Sequence, residues 1–418
     1  MTTWGVGSEV GRLRTVLVHQ PGQEHRQTVP WTKDALLFDD IMDIEEARPE
    51  HRAFCQLMAA QSVEVLCLGD LLKDVCATPA GLEAVVREVA GERVLARLGD
   101  TRLRPQHLIH GFPEHFALDN QVVLEPLPNL YFMRDPAFAV PGAIVVSHPY
   151  WPARQREARL LAAVLKRHSR FTEAVVYDGI LDDPAATIEG GDVHVPDERT
   201  VVVGIGERTN HAGADHLARF LFANTAVERV VKVIIPAQRE FMHLDTVLTW
   251  VDRRRVLTLP YLWDRPAIYA EIAEEAQRRC GELGKPYQGP VPEHMAQASR
   301  VEVLWRDARP ATHFDDTMAA LTELGLTDPE QTVYVAGRLD QYPRPEEHVI
   351  EALREQWNDG ANALALKPGH VMSYSRNDRT FRALEEAGVE VVAFRGGELV
   401  RGRGGARCMT MPLHRDPI

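Results

Sequence analysis

The chain has 418 residues, 45% of them hydrophobic and 26% charged, with a formal net charge of −13. This is a globular composition, long enough for about two or three domains or for one large closed array. The excess of acid excludes a general nucleic-acid binder, which carries a basic stripe, and suits a cationic small substrate. No run approaches 18 apolar residues, so no membrane span is expected. The opening MTTWGVGSEVGRLR lacks the basic and apolar regions of a signal peptide. Cys55, Cys67, Cys76, Cys280 and Cys408 are scattered and odd in number. Without a secretion signal they read as reduced thiols in a cytoplasmic protein.

In chain order, residues 71–117 read as a charged helical insertion. RDPAFAVPGAIVVSHP, from Arg134, is an apolar strand, a Pro-Gly turn and a second apolar strand, the pattern of a β-hairpin. Helical spacing of apolar residues follows from Trp151 to His168. GGDVHVPDERTVVVGIG, from Gly190, repeats the hairpin, and a helical stretch runs from His211 to Ala226. HLDTVLTWVDRRRVLTLP, from His243, is a third hairpin; GKPYQGPVPEH, Gly284 to His294, is a Pro/Gly loop and the best linker candidate. NDGANALALKPGHVMSY, from Asn358, is a fourth hairpin, and the chain ends on GRGGARCMTMP and six more residues. The hairpins recur roughly every 55 residues, with one double interval, which predicts an α/β propeller-like array.

Each repeat opens on ionisable groups. In an array about an axis, Asp135, Glu189, Asp192, His243, Asp245 and Cys408 would converge although distant in sequence. Singly, each reads equally well as a turn residue, a core histidine or a small buried thiol; jointly they fall at matching points of a repeat. Cysteine is a strong nucleophile once deprotonated. Histidine can give a proton to a leaving group and later take one from water. Paired carboxylates suit the fixed fork of a guanidinium.

PNLYFMRDP, IEGGDVHV, GERT, MHLDTVLTWVDR, REQWNDGAN and GRGGARCMTMP, with the opening GVGSEVGRLRTVLVHQPG and LLFDD, resemble arginine deiminase in content and order over nearly the whole chain. The resemblance implies one pentein catalytic domain over residues 1–418, about five ββαβ units around a pseudo-five-fold axis, with the 71–117 helices inserted. It implies hydrolysis of L-arginine to L-citrulline and ammonia without metal or organic cofactor. It assigns Cys408 as nucleophile forming an amidino-thioether, His243 as general acid and then base, and Asp135 and Asp245 as the guanidinium clamp. Glu189 would hold substrate and His243, with Asp192 also in the substrate site. Arg154 and Arg208 would take the substrate carboxylate, and Asn129, Phe132 and the backbone near Leu37 would line the amino-acid end. Arg403 falls where a mobile arginine is expected.

The sequence departs from the family pattern in a short insertion, in Ala336–Leu353, in Arg407 where histidine is frequent, and in Asn210-His211 after GERT. A modified guanidino substrate therefore stays open. So do an amidinotransferase using the same thiolate, a non-catalytic guanidino-binding protein and a homo-oligomeric assembly.

Overall fold

Paired antiparallel strands, each followed by a helix and a parallel strand, organise the molecule. The computed structural model describes residues 4–92, 94–95, 104–111, 124–263, 266–286 and 300–418. Strands β1 (Leu13–Val18) and β2 (Glu64–Cys67) run parallel, with the helix Ile44–Ala60 between them. β3 (Ala137–Val140) and β4 (Ala143–Val146) form an antiparallel hairpin; after the helix Pro152–Arg167, β5 (Val176–Tyr177) returns parallel to β4. The same sequence follows in β6 (Val193–Asp197), β7 (Thr200–Ile205), the helix His211–Asn224 and β8 (Arg229–Ile234).

β9 (Leu248–Asp252) and β10 (Arg255–Thr258) begin the third unit. Its connection is long. It contains the helix Pro266–Glu282, the hairpin of β11 (Val301–Trp305) and β12 (Thr312–Phe314), and the helix Thr317–Glu323, before β13 (Val333–Tyr334) pairs parallel to β10. β11 pairs antiparallel with β8, which extends the second unit's sheet to the order β12-β11-β8-β7-β6. The fourth unit is β14 (Leu364–Lys367), β15 (His370–Tyr374), the helix Asp378–Glu386 and β16 (Glu390–Phe394).

The last strand, β17 (Met411–Arg415), pairs antiparallel with β1. The fifth unit is thus β17, β1, the helix Ile44–Ala60 and β2, stitched from both ends of the chain. This closure carries Cys408 next to the N-terminal strand. The five repeats of antiparallel pair, helix and parallel strand match the expected α/β propeller.

Hairpin strands are apolar on both faces because both faces are covered. In β7, Val201 and Val203 enter one hydrophobic cluster and Val202 another, as the two-residue period of a strand dictates. Within 71–117, the helix Pro79–Ala90 starts on a Thr78 cap and places Val85, Val86 and Val89 in the cluster that holds Leu160, Leu161 and Val164 of the first unit's helix. The helix His107–His110 also falls in this segment; residues 93, 96–103 and 112–117 lie outside the described residues, as does 287–294 of the linker candidate. No helix among the described residues is long and apolar enough to cross a membrane.

Candidate active site

The first strand of every unit is entered through a short turn, and those turns bring the polar residues together. Asp135 lies just before β3 and Glu189 just before the turn Gly190–Asp192 that leads into β6. His243 and Asp245 flank the start of the turn Leu244–Thr246 before β9, and Cys408 lies before β17. Glycines permit this crowding. A Cβ on Gly191 would lie 2.6 Å from the His243 ring, and one on Gly405 would lie 2.8 Å from Asn362.

Cys408 is buried. Its Sγ lies 3.6 Å from Asp245 Oδ2, 3.8 Å from Asp245 Oδ1 and 3.1 Å from Asn362 Nδ2. The Arg134 N–H donates to the Cys408 carbonyl at 3.0 Å, which ties the nucleophile loop directly to the residue before Asp135. Burial pushes the Cys408 thiol well up, and Asp245, Asp135 and Asp359 add to this against the lowering effect of Arg407. A positive charge arriving between these carboxylates favours the thiolate.

Each aspartate expected in the clamp is held by a buried arginine. Arg154 Nη1 lies 2.6 Å from Asp135 Oδ2, and Arg407 Nη1 lies 2.8 Å from Asp245 Oδ2. Asp135 Oδ1 is buried and makes no hydrogen bond. Arg407 also reaches Glu9 Oε1 at 3.1 Å, so the residue before the nucleophile is a structural cation bridging two carboxylates. His243 Nε2 donates to Glu189 Oε2 at 2.8 Å, and its Nδ1 lies 3.6 Å from Asp135 Oδ1. Against the desolvation of burial, the carboxylates of Asp135, Glu189 and Asp192 push the His243 imidazolium up to about 9. Burial raises the Glu189 carboxyl, but Arg208, His243 and Arg154 outweigh it and hold it at about 2. Asp192 Oδ1 accepts the Leu244 N–H at 2.8 Å and fixes the turn that carries His243 and Asp245. Burial raises its carboxyl to about 7.

A small, partly open space of about 20 Å³ adjoins these groups, room for about one water molecule. Of the twelve residues singled out in the sequence, Cys408, His243, Asp135, Arg154, Arg208, Asn129, Phe132, Leu37 and Arg403 line it. Glu189, Asp192 and Asp245 do not line it; Glu189 and Asp245 contact His243 and Cys408, which do, and Asp192 holds the Leu244 backbone between His243 and Asp245. Leu37 has φ 65° and its carbonyl accepts from Arg239 Nη2 at 2.7 Å; Asn129 Nδ2 donates to the Leu36 carbonyl at 2.7 Å. Arg403 has φ 63°, stacks on Trp357 at 3.7 Å and lies 3.8 Å from Asp39.

The C-terminal glycines are needed for space: a Cβ on Gly402 would collide with the Tyr131 hydroxyl and one on Gly404 with the Phe132 ring. None of residues 336–353 lines the space, although the helix Pro345–Trp357 ends on the Trp357 that supports Arg403. Sequence reasoning missed Asn362, Arg239 and Met242. Arg239 and Met242 line the space, and Asn362 ends the REQWNDGAN motif. Ligand atoms of Asp135, Glu189 and His243 lie within 4.8 Å of one another. That donor set can hold a cation, and Arg154 supplies positive charge to it at Asp135.

The family model described as arginine deiminase matches residues 34–104, 95–299 and 340–415. The chain is 32% identical over 439 residues to arginine deiminase 1 of Staphylococcus epidermidis, covering 99% of this chain and 98% of that one. It is 31% identical over 445 residues to an arginine deiminase of Staphylococcus aureus, with the same coverage. Among solved structures, the product-bound N-terminal domain of ArgZ, a cyanobacterial arginine dihydrolase, superposes with TM-score 0.53 at 15% identity over 96% of this chain and 97% of that one. SxtG, an amidinotransferase of Microseira wollei, superposes with TM-score 0.55 at 14% identity over 100% and 98%. These likenesses carry the fold, which is the pentein architecture. From the family match and the full-length relatives together, the chain belongs to the arginine deiminase family.

Proposed function

We propose that this chain hydrolyses L-arginine to L-citrulline and ammonia through a covalent intermediate on Cys408. The observation that carries the reading is the placement of the thiol. Sγ lies 3.6 Å from one clamp carboxylate, and a buried oxygen of the other, Asp135 Oδ1, has no hydrogen-bond partner and faces His243. A guanidinium held between Asp135 and Asp245 puts its central carbon within reach of the thiolate, and such positioning is worth about 7–11 kcal/mol.

The thiolate adds to the guanidinium carbon to form a C–S bond. The tetrahedral adduct expels ammonia, which takes its proton from the His243 imidazolium. The resulting thiouronium carries the rest of the substrate. His243, now neutral, takes a proton from water as the oxygen adds to the same carbon; the C–S bond then breaks as the remaining hydroxyl proton is released, to be taken up by the departed ammonia as ammonium, and citrulline and the Cys408 thiolate are returned. Glu189 orients His243 and keeps it charged, and Asp192 steadies its turn. Arg154, on leaving Asp135, and Arg208 receive the substrate carboxylate, with Asn129, Phe132 and Leu37 at the amino-acid end. The space is too small for arginine as it stands, so entry requires lining side chains to move apart. The lining set omits 336–353, which favours free arginine over a substituted one.

The same reading takes residues 1–418 as a single catalytic domain with 71–117 inserted in it; the shared hydrophobic cluster of Val85 and Leu160 supports this. All five cysteines are free thiols, which fits a cytoplasmic protein. The site is built from one chain, so a homo-oligomer is not needed for chemistry. Incubation with L-arginine, with and without an acceptor amine, tests the reaction. Equal amounts of citrulline and ammonia support it, whereas ornithine with a new guanidine overturns hydrolysis.

A further inference from the structure

We propose that Asn362 is a positioning residue for the nucleophile: its carboxamide fixes Cys408 at the axis and donates to the sulfur when the sulfur is anionic. The inference deepens the reaction proposed above and rests on that reading.

The fold itself points to this residue. The turns entering the first, second, third and fifth units contribute Asp135, Glu189 with Asp192, His243 with Asp245, and Cys408. The fourth unit enters β14 through Asn362, two residues before Leu364. It occupies the matching place, buried at 1% exposure.

Its three polar contacts fix the orientation of the amide. Asn362 Oδ1 accepts the Cys408 backbone N–H at 3.0 Å. Nδ2 lies 3.1 Å from the Asp245 carbonyl and 3.1 Å from Cys408 Sγ. Exchanging oxygen and nitrogen would set an NH2 against the Cys408 N–H and a carbonyl-type oxygen against the Asp245 carbonyl, so the NH2 must face the sulfur. Its two protons then serve the Asp245 carbonyl and Sγ, and the carboxamide bridges the acid-bearing turn and the nucleophile loop. Gly405 is what lets the loop settle there, since a Cβ on it would press on Asn362 at 2.8 Å.

The two oxygens of Asp245 also lie against Sγ, at 3.8 and 3.6 Å, and repel a thiolate. Among the described residues, Asn362 is the donor hydrogen-bonded to the sulfur. A hydrogen bond to an ionised sulfur is stronger than one to a neutral thiol or thioether. Asn362 therefore acts when the sulfur is anionic: before attack, and again when citrulline leaves.

The test is the pH dependence of Cys408 alkylation by iodoacetamide in substrate-free enzyme, beside steady-state kinetics on L-arginine. Asn362→Ala and Asn362→Asp are compared with wild type after thermal melts establish that each folds. Asp keeps the acceptor for the Cys408 N–H and replaces the donor by an oxygen. Both variants should move the alkylation midpoint to higher pH by about one unit, a tenfold change corresponding to about 1.4 kcal/mol. kcat should fall at least tenfold while KM changes less than threefold. If Ala fails to fold, Asp carries the test alone. An Asp variant with the wild-type alkylation profile and kcat overturns the proposal. Alkylation is read without substrate, so it still reports on Asn362 if wild-type enzyme makes no citrulline, and the two failures remain distinguishable.

Discussion

Arg154 Nη1 lies 2.6 Å from Asp135 Oδ2 and leaves Asp135 Oδ1 without a hydrogen-bond partner. Arg407 holds Asp245 in the same way through Oδ2. Asp135, Asp245 and Glu189 crowd a low-dielectric pocket where carboxylates repel strongly. In the substrate-free site, resident arginines offset that repulsion and hold one oxygen of each clamp aspartate.

Arg154 also reaches Glu157 at 2.9 Å and the Asn129 carbonyl at 3.2 Å. A lysine cannot make these contacts together. Arg154→Lys should lower kcat and raise KM, with kcat/KM down at least tenfold, about 1.4 kcal/mol. Arg208 lies 3.6 Å from Glu189 and has no such grip on Asp135. Arg208→Lys should mainly weaken the preference for arginine over agmatine, which lacks the carboxylate. Kinetics on both substrates check this pair; equal arginine and agmatine rates in wild type would show that neither arginine binds a carboxylate.

The imidazole of His243 is expected to titrate near 9 in the free enzyme. Its folded value lies above the ordinary 6.5, so the cation persists through neutral pH and is lost as pH rises through about 9. The general acid is thus present where the enzyme would work. NMR titration of the imidazole signals reads this directly. Glu189→Gln removes an anionic acceptor 2.8 Å from Nε2 and should shift the midpoint to lower pH. A wild-type midpoint at or below 6.5 would refute the charged-acid reading.

How far the sequence could be read depends on the range of the forces involved. Apolar hairpins broken by Pro-Gly or charged turns are local signals, and all four expected hairpins formed. Charged residues at strand entries stood out because burial of charge demands a reason. Asn362 occupies the same position but carries no charge, so nothing local separated it from a turn residue. Pairing of β11 with β8 joins Val301–Trp305 to Arg229–Ile234, and no local pattern encodes it. The role of Arg239 rests on a contact with the Leu37 carbonyl some 200 residues away. Glycine serves both flexibility and close approach, and the close approach of Gly402 and Gly404 to the Tyr131 and Phe132 rings is set by residues some 270 positions away.

Behind the site, His25 and His51 should make the fold sensitive to mild acid. Burial pushes His25 down to about 4 and His51 down to about 3. Both folded values lie below the unfolded 6.5, so stability is full above about 6.5 and falls as pH drops below it. Between pH 7 and 5 each contributes a loss on the order of 2 kcal/mol. Burial raises the nearby Glu24 carboxyl, but His19 and His25 hold it at about 2. Its stabilisation is therefore retained over this window and lost only toward pH 2. His25 packs edge-on against Phe38 and Tyr131, each at 5.5 Å. His25→Phe should recover about half of the pH-dependent loss in urea midpoint at constant m-value. An identical loss in wild type and variant would contradict this assignment.

The central claim is that arginine is hydrolysed through Cys408. Rapid-quench mass spectrometry of the enzyme during turnover of L-arginine tests it most directly. The account predicts a transient thiouronium adduct on the peptide bearing Cys408, formed and consumed as fast as citrulline appears, and no citrulline from a folded Cys408→Ala enzyme. Unmodified Cys408 throughout turnover, with citrulline still produced by Cys408→Ala, would contradict it.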